Sequence, residues 1–190
     1  MIFILPMKII GITGTIGAGK GTIVEYLINH HHFIHYSVRS FLLKEIENRG
    51  LGHDRDNMVI VANELRANHS PSYIIDCLFE EAVSGGKNCV IESIRTPGEI
   101  ESLRKKGDFT LFAIDADPLL RYQRIVLRDS ETDHITFKTF LENEKREMDS
   151  TDPNKQNLRR CIDLSDHIFL NNGTITQLFS AIESVIVKIL

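Results

Sequence analysis

The sequence predicts a three-layer α/β fold, one domain spanning residues 1–190 around a five-stranded parallel sheet. Two observations predict it. Helix-like and strand-like stretches alternate along the chain, the pattern in which helices carry it from one parallel strand to the next. The first strand-like run, "KIIGIT" (8–13), is apolar almost throughout and ends in a glycine-rich turn, as a strand buried on both faces does. A chain of 190 residues suffices for one domain with its own core.

The elements follow in order. A helix is expected from Gly19, with Ile23, Val24, Leu27 and Ile28 on one face. "FIHYS" (33–37) is the second strand, "NCVIES" (88–93) the third, "FTLFAID" (109–115) the fourth and "DHIFLN" (166–171) the fifth. Ser70-Pro71, Thr96-Pro97 and Asp117-Pro118 each place an N-cap residue before a proline suited to the first helical position. Thr96 with Glu99 also forms a capping-box pattern. After Pro71, Ile74, Ile75, Leu78, Phe79 and Ala82 keep helical spacing up to a stop at Gly85. The last helix carries Leu178, Phe179, Ile182, Val185, Ile186 and Ile189 inward. Residues 38–85 are mostly helical, and 128–160 are charged with few apolar anchors.

Bulk composition narrows the function. Twenty-two basic against 26 acidic residues give a net charge of −4, which disfavours binding a nucleic acid polymer but leaves room for a small polyanion in one pocket. Cys77, Cys89 and Cys161 form no C-x-x-C pair, and their odd number and wide spacing fit a reducing cytoplasm. The apolar opening "MIFILPMKII" lacks a basic n-region and a cleavage site, so neither a signal peptide nor a membrane span is read there; Met7 is an alternative start.

"GTIGAGKGT" (14–22) fits the phosphate-loop pattern G-x-x-x-x-G-K-[ST] up to its last position, where Gly21 replaces the hydroxyl and Thr22 follows one place late. Binding a triphosphate needs converging backbone N–H groups with no side chains in the way. Gly14, Gly17 and Gly19 allow such a curl, Ala18 lies within it, and the helix behind points its N-terminus inward. Lys20 is placed to reach the β- and γ-phosphates. ATP with Mg²⁺ is the expected cofactor.

The run G-x-x-G-x-G-K-G-T resembles that of the adenylate kinase group of nucleoside monophosphate kinases, which also have glycine after the lysine. In that group water and phosphate oxygens hold most of the metal, so the resemblance accommodates Gly21, with Thr22 and Glu92 as metal candidates. "VIESIRTPGEIESL" (90–103) resembles the kinases' strand, acid and arginine, with Glu for Asp, Ser93 for Gly and no proline before Arg95; it implies Glu92 near the metal and acceptor and Arg95 on the acceptor phosphate. "DPLLRYQRIVLRD" (117–129) resembles the helix leading into the kinase lid. It implies Arg124 and Arg128 as catalytic arginines, with Arg121 adding charge and Arg146 a further candidate. "SDHIFLNNGTITQLF" (165–179) is similar to both adenylate kinases and dephospho-coenzyme A kinases and implies that Asn171, Asn172 and Gly173 lie near the adenine. By the same likeness, 38–85 is an acceptor-binding insertion and 128–160 a lid.

Two acceptors remain open. A nucleoside monophosphate needs positioning and positive charge. Ser37 matches the serine that ends the second strand in adenylate kinases, and Arg39 is the nearby basic candidate for acceptor binding. Dephospho-coenzyme A offers a hydroxyl and calls for a carboxylate, and its kinases carry an aspartate after the second strand that this chain lacks. A non-catalytic nucleotide-binding regulator is the rival of another class, but there is no D-x-x-G, and "NKQN" (154–157) lacks the aspartate of N-K-x-D. "HHH" (30–32) falls where the first helix ends and reads as a solvated terminus.

Overall fold

The computed structural model describes residues 7–128 and 135–190. Its sheet has five strands, all parallel: β1 (Lys8–Gly14), β2 (Ile34–Ser37), β3 (Cys89–Glu92), β4 (Asp108–Asp115) and β5 (His167–Leu170), in the order β2-β3-β1-β4-β5. Each predicted strand is present within about a residue. Around them run α1 (Lys20–His31), α2 (Val38–Asn48), α3 (Arg55–Asn68), α4 (Tyr73–Gly85), α5 (Pro97–Lys106), α6 (Pro118–Arg128), α7 (Phe137–Met148), α8 (Leu158–Asp163) and α9 (Ile175–Ile189).

Side chains alternate across the sheet and divide the core in two. Ile10 and Ile12 of β1, with Val90, Phe112 and Ile114, pack against Ile23 and Leu27 of α1 and Leu178, Ile182 and Ile186 of α9. Ile9, Cys89, Ile91 and Leu111 face the other layer, built from α2, α3, α4, α5 and Cys161 of α8. The helices of 38–85 are thus fastened to the sheet by Val38, Leu42, Ile46, Val61 and Leu65. Burial pushes the Cys89 thiol up to about 12, so it is held as an unreactive core group.

Most helix boundaries follow the expected capping. Thr96 and Glu99 form the reciprocal box at the start of α5, and Asp117 Oδ1 accepts from the Leu119 N–H at 2.9 Å at the start of α6. The expectation at Ser70-Pro71 needs correction. There the Ser70 carbonyl accepts from the Tyr73 N–H at 3.0 Å, closing a turn, and α4 begins only at Tyr73. At its far end Gly86, not Gly85, takes the left-handed conformation, φ 61°. His30 and His31 do occupy the last turn of α1, where His31 Nε2 lies 2.8 Å from Glu183.

The order puts β1 between β3 and β4, where the direction of strand progression reverses. Ligands of open α/β sheets bind beyond the C-terminal ends of the strands at such a point. Ile12 is in register with Glu92, and Glu92 with Ser37, so the loop after β1 and the ends of β3 and β2 open onto one edge.

Candidate active site

A cavity of about 630 Å³ lies at that edge, floored by the turn into α1 and walled by α2, α3 and α6, with Glu147 of α7 reaching it. The turn is shaped by two glycines that admit no side chain. At Gly19, φ 102°, a Cβ would stand 2.5 Å from Asn171 Nδ2; at Gly17, φ 75°, it would stand 2.5 Å from the Arg121 carbonyl. Ile23 N–H, bonded to the Gly19 carbonyl at 3.4 Å, makes the first bond into α1. The N–H groups of Lys20, Gly21 and Thr22 ahead of it are the donors a helix N-terminus offers to an anion. Lys20 Nζ donates back to the carbonyls of Gly14 and Thr15 at 3.0 and 2.8 Å. Burial, and then the Arg95 guanidinium, push the Lys20 ammonium down from 10.5 to about 7; Glu92 and Glu147 pull the other way, and Arg55 lowers it further. Gly21 has nothing within 4 Å of a built Cβ, so its lack of a side chain is not imposed by packing.

Across the cavity stands Glu92. Its Oε1 accepts from Ser37 Oγ at 3.2 Å and lies 3.6 Å from His35 Nε2. Burial pushes its carboxyl up, but the His35 hydrogen bond and charge, Lys20 and the Ser37 hydroxyl outweigh this and hold it below the usual carboxylate range. Arg95 lies beyond. Its Nη1 donates to Glu147 Oε2 at 2.7 Å and to Gln156 Oε1 at 2.9 Å, and the other oxygen of Glu147 takes Nη2 of Arg55. Burial alone would raise the Glu147 carboxyl; Arg95, then Arg55, hold it low. Behind this cluster Arg66 pairs with Glu99, whose second oxygen accepts the N–H groups of Arg95 and Thr96 at 2.7 and 3.0 Å.

Of the residues expected from the sequence, Gly17, Gly19, Lys20, Gly21, Thr22, Arg39, Glu92, Arg95, Arg124 and Arg128 line this one cavity. Arg39 is exposed, with Nη1 3.7 Å from Met58 Sδ. Arg124 Nη2 donates to the Asn171 carbonyl at 2.8 Å, while its Nη1 is buried without a partner among the described residues. The others sit elsewhere. Gly14 and Ala18 are buried, Gly14 against the Ile114 carbonyl of β4. Ser37 caps α2 and gives its proton to Glu92. Asn172 accepts from the Asp117 N–H at 2.8 Å, and with Gly173 it lies exposed outside the cavity lining. Arg121 is no free charge. It is buried, donating to the carbonyls of Ala116 and Ile16 and pairing with Glu144 at 2.5 Å, so it braces the turn against α6 and α7. Arg146 pairs with Asp56 on the surface. Of the expected lid, 129–134 lie outside the described residues.

Sequence reasoning missed Arg55, Arg66 and Glu147. The available signal was α3's own periodicity: Arg55, Met58, Val59, Ala62 and Arg66 recur at helical spacing and all face the cavity.

Known proteins resemble this chain over nearly its whole length. A UPF0200 protein of Methanococcus maripaludis strain C7 is 30% identical over 189 residues, 97% of this chain and 98% of its own, and one of Methanocaldococcus jannaschii is 27% identical over 97% and 91%. Among solved structures, TT1252 from Thermus thermophilus superposes with a TM-score of 0.63 at 18% identity, covering 97% of this chain and 98% of its own. Shikimate kinase from Bacteroides thetaiotaomicron does so at 0.57 and 12%, covering 95% and 98%, so the three-layer α/β fold is shared with that protein. A family model described as "AAA domain" matches residues 10–151, well over half of the sequence. The chain therefore belongs to that AAA-domain family and to the UPF0200 proteins.

Proposed function

We propose that this protein is an ATP-dependent kinase that transfers the γ-phosphoryl group to a nucleoside monophosphate. One observation carries the reading: Lys20 of the glycine turn and the Arg95–Arg55 pair face the same cavity, close enough for both guanidinium groups to depress the Lys20 ammonium. Phosphoryl transfer between two bound anions asks for this concentration of positive charge, because it is catalysed mostly by positioning and neutralisation.

The residues fit the parts. Gly17 and Gly19 leave the loop open where a side chain would block a polyphosphate. The N–H groups of Lys20, Gly21 and Thr22 hold the phosphates, and Lys20 neutralises the charge that moves. Thr22 and Glu92 would hold Mg²⁺, which would neutralise charge on the bound phosphates. Val38, Leu42, Met58, Val59 and Ala62 give the acceptor end an apolar wall suited to a base. Arg124 and Arg128 close over the transferred group from α6, excluding water as a competing acceptor.

A second reading, transfer to a hydroxyl such as that of dephospho-coenzyme A, draws on Glu92. A carboxylate lining the cavity with Lys20 is placed to take a hydroxyl proton. Labelled ATP with Mg²⁺, offered the common nucleoside monophosphates and dephospho-coenzyme A in parallel, tests both. A labelled monophosphate product supports the first reading and labelled coenzyme A the second. Slow release of label to water alone overturns both in favour of a non-catalytic binder.

A further inference from the structure

Resting on that reading, we propose that Glu147 is a specificity-determining residue: its carboxylate occupies the place of the acceptor's phosphate between Arg55 and Arg95, and an acceptor binds by taking both guanidinium groups from it. The geometry is that of a bridging anion. One oxygen takes Arg95 Nη1 at 2.7 Å and the other takes Arg55 Nη2, and both arginines line the cavity. The side chain of Glu147 is 4% exposed, against 19% and 24% for the arginines that enclose it.

Three observations mark this carboxylate as the replaceable one. Glu99, the other buried acid of the cluster, also accepts two backbone N–H groups, so removing it would strip the start of α5. The bonds of Glu147 go to two arginine side chains, which a phosphate satisfies equally well. Arg55 Nε is buried with no partner among the described residues. Nε and Nη2 form one fork of a guanidinium; a carboxylate that spends its second oxygen on Arg95 leaves half of that fork empty, and a phosphate brings the third oxygen that fills it. Charge agrees: two guanidinium groups match a phosphate monoester dianion only once Glu147 has withdrawn. The acceptor class follows as one bearing a dianionic phosphate, not a neutral hydroxyl compound lacking one.

The test uses the full chain with its glycine turn saturated by a non-hydrolysable ATP analogue and Mg²⁺. Inorganic phosphate, then AMP, CMP, GMP and UMP, are titrated into the wild type and Glu147→Gln by calorimetry. The expected result is that inorganic phosphate, and any monophosphate the wild type accepts, binds about tenfold or more tightly to the variant, because a like charge has been removed from the anion's site, while affinity for the ATP analogue is unchanged. Unchanged or weaker phosphate binding, with the analogue still bound, overturns the proposal and makes Glu147 a strut that positions the arginines. Should Glu147→Gln not fold, Glu147→Asp draws the carboxylate back by one methylene and is expected to tighten phosphate severalfold; weakening there overturns the proposal equally. The two readings fail separately. Tightened phosphate without binding of any monophosphate removes the acceptor assigned above and keeps the exchange, whereas a bound monophosphate indifferent to Glu147→Gln does the reverse.

Discussion

Arg66 donates from Nε and Nη2 to a single oxygen of Glu99, at 3.1 and 2.8 Å, with the two side chains 1% and 0% exposed. Breaking such a buried pair leaves an uncompensated charge, at a cost of about 3–5 kcal/mol. Arg66→Met is therefore expected to lower the free energy of unfolding by that much, read as a lower urea midpoint. Glu99→Gln added to it removes the stranded charge and keeps an oxygen for the Thr96 cap, so the double variant should recover about 2 kcal/mol. Equal midpoints for the single and double variants would contradict the pairing.

On the proposed reading, Lys20 should make nucleotide binding proton-linked. Its pKa is lowered on folding from 10.5 to about 7, so between these values the unfolded chain holds a proton the native chain lacks. The nucleotide-free protein should accordingly gain stability from this group as pH rises from about 7 to about 10.5. A triphosphate on the ammonium raises its pKa again, and binding near pH 8 should take up close to one proton. Calorimetry in buffers of different ionisation enthalpy reads this uptake, and Lys20→Met should remove it. Lys20→Ala should abolish transfer with the thermal transition intact; unchanged turnover refutes its role.

Neighbouring glycines should behave in opposite ways. Gly19→Ala forces a side chain into φ 102° and against Asn171, so a fall in melting temperature and a large loss of ATP affinity are expected. Gly21→Ser enters open space at the first turn of a helix, which should stabilise by a few tenths of a kcal/mol and leave ATP binding intact. A severe loss at Gly21 would show that the ligand itself fills that space.

Arg128 lines the cavity from the last turn of α6. Arg128→Ala should lower kcat about 10²-fold or more while changing ATP affinity little, the behaviour of a group that stabilises the phosphoryl group in transit. A pure loss of affinity contradicts that role.

What the sequence disclosed is what local rules encode. The phosphate turn lies within nine consecutive residues, and the Thr96–Glu99 box within four, so both are read directly. Glu147 escaped because its partners lie 52 and 92 residues away, and in "ENEKREM" it looks like one more surface acid. Helix α7 hid its inner face in the same way. Phe140, Glu144 and Glu147 share a stripe, and two of its three inward positions are charged because they meet Arg121 and the Arg55–Arg95 pair and not the apolar core. Arg121 was expected to add charge beside Arg124 and Arg128 for the complementary reason: the carbonyls and carboxylate that hold it come from other segments.

Glu144 and Glu147 are three residues apart on α7, one turn along a rigid rod. The first holds Arg121, which grips the Ile16 carbonyl in the nucleotide's turn; the second holds the arginines of the far subsite. On the proposed reading, one lever thus has a hand on each substrate. Whatever factor filling the first subsite imposes on the second must return unchanged in the opposite direction, so the order in which the two ligands are added cannot alter their joint affinity.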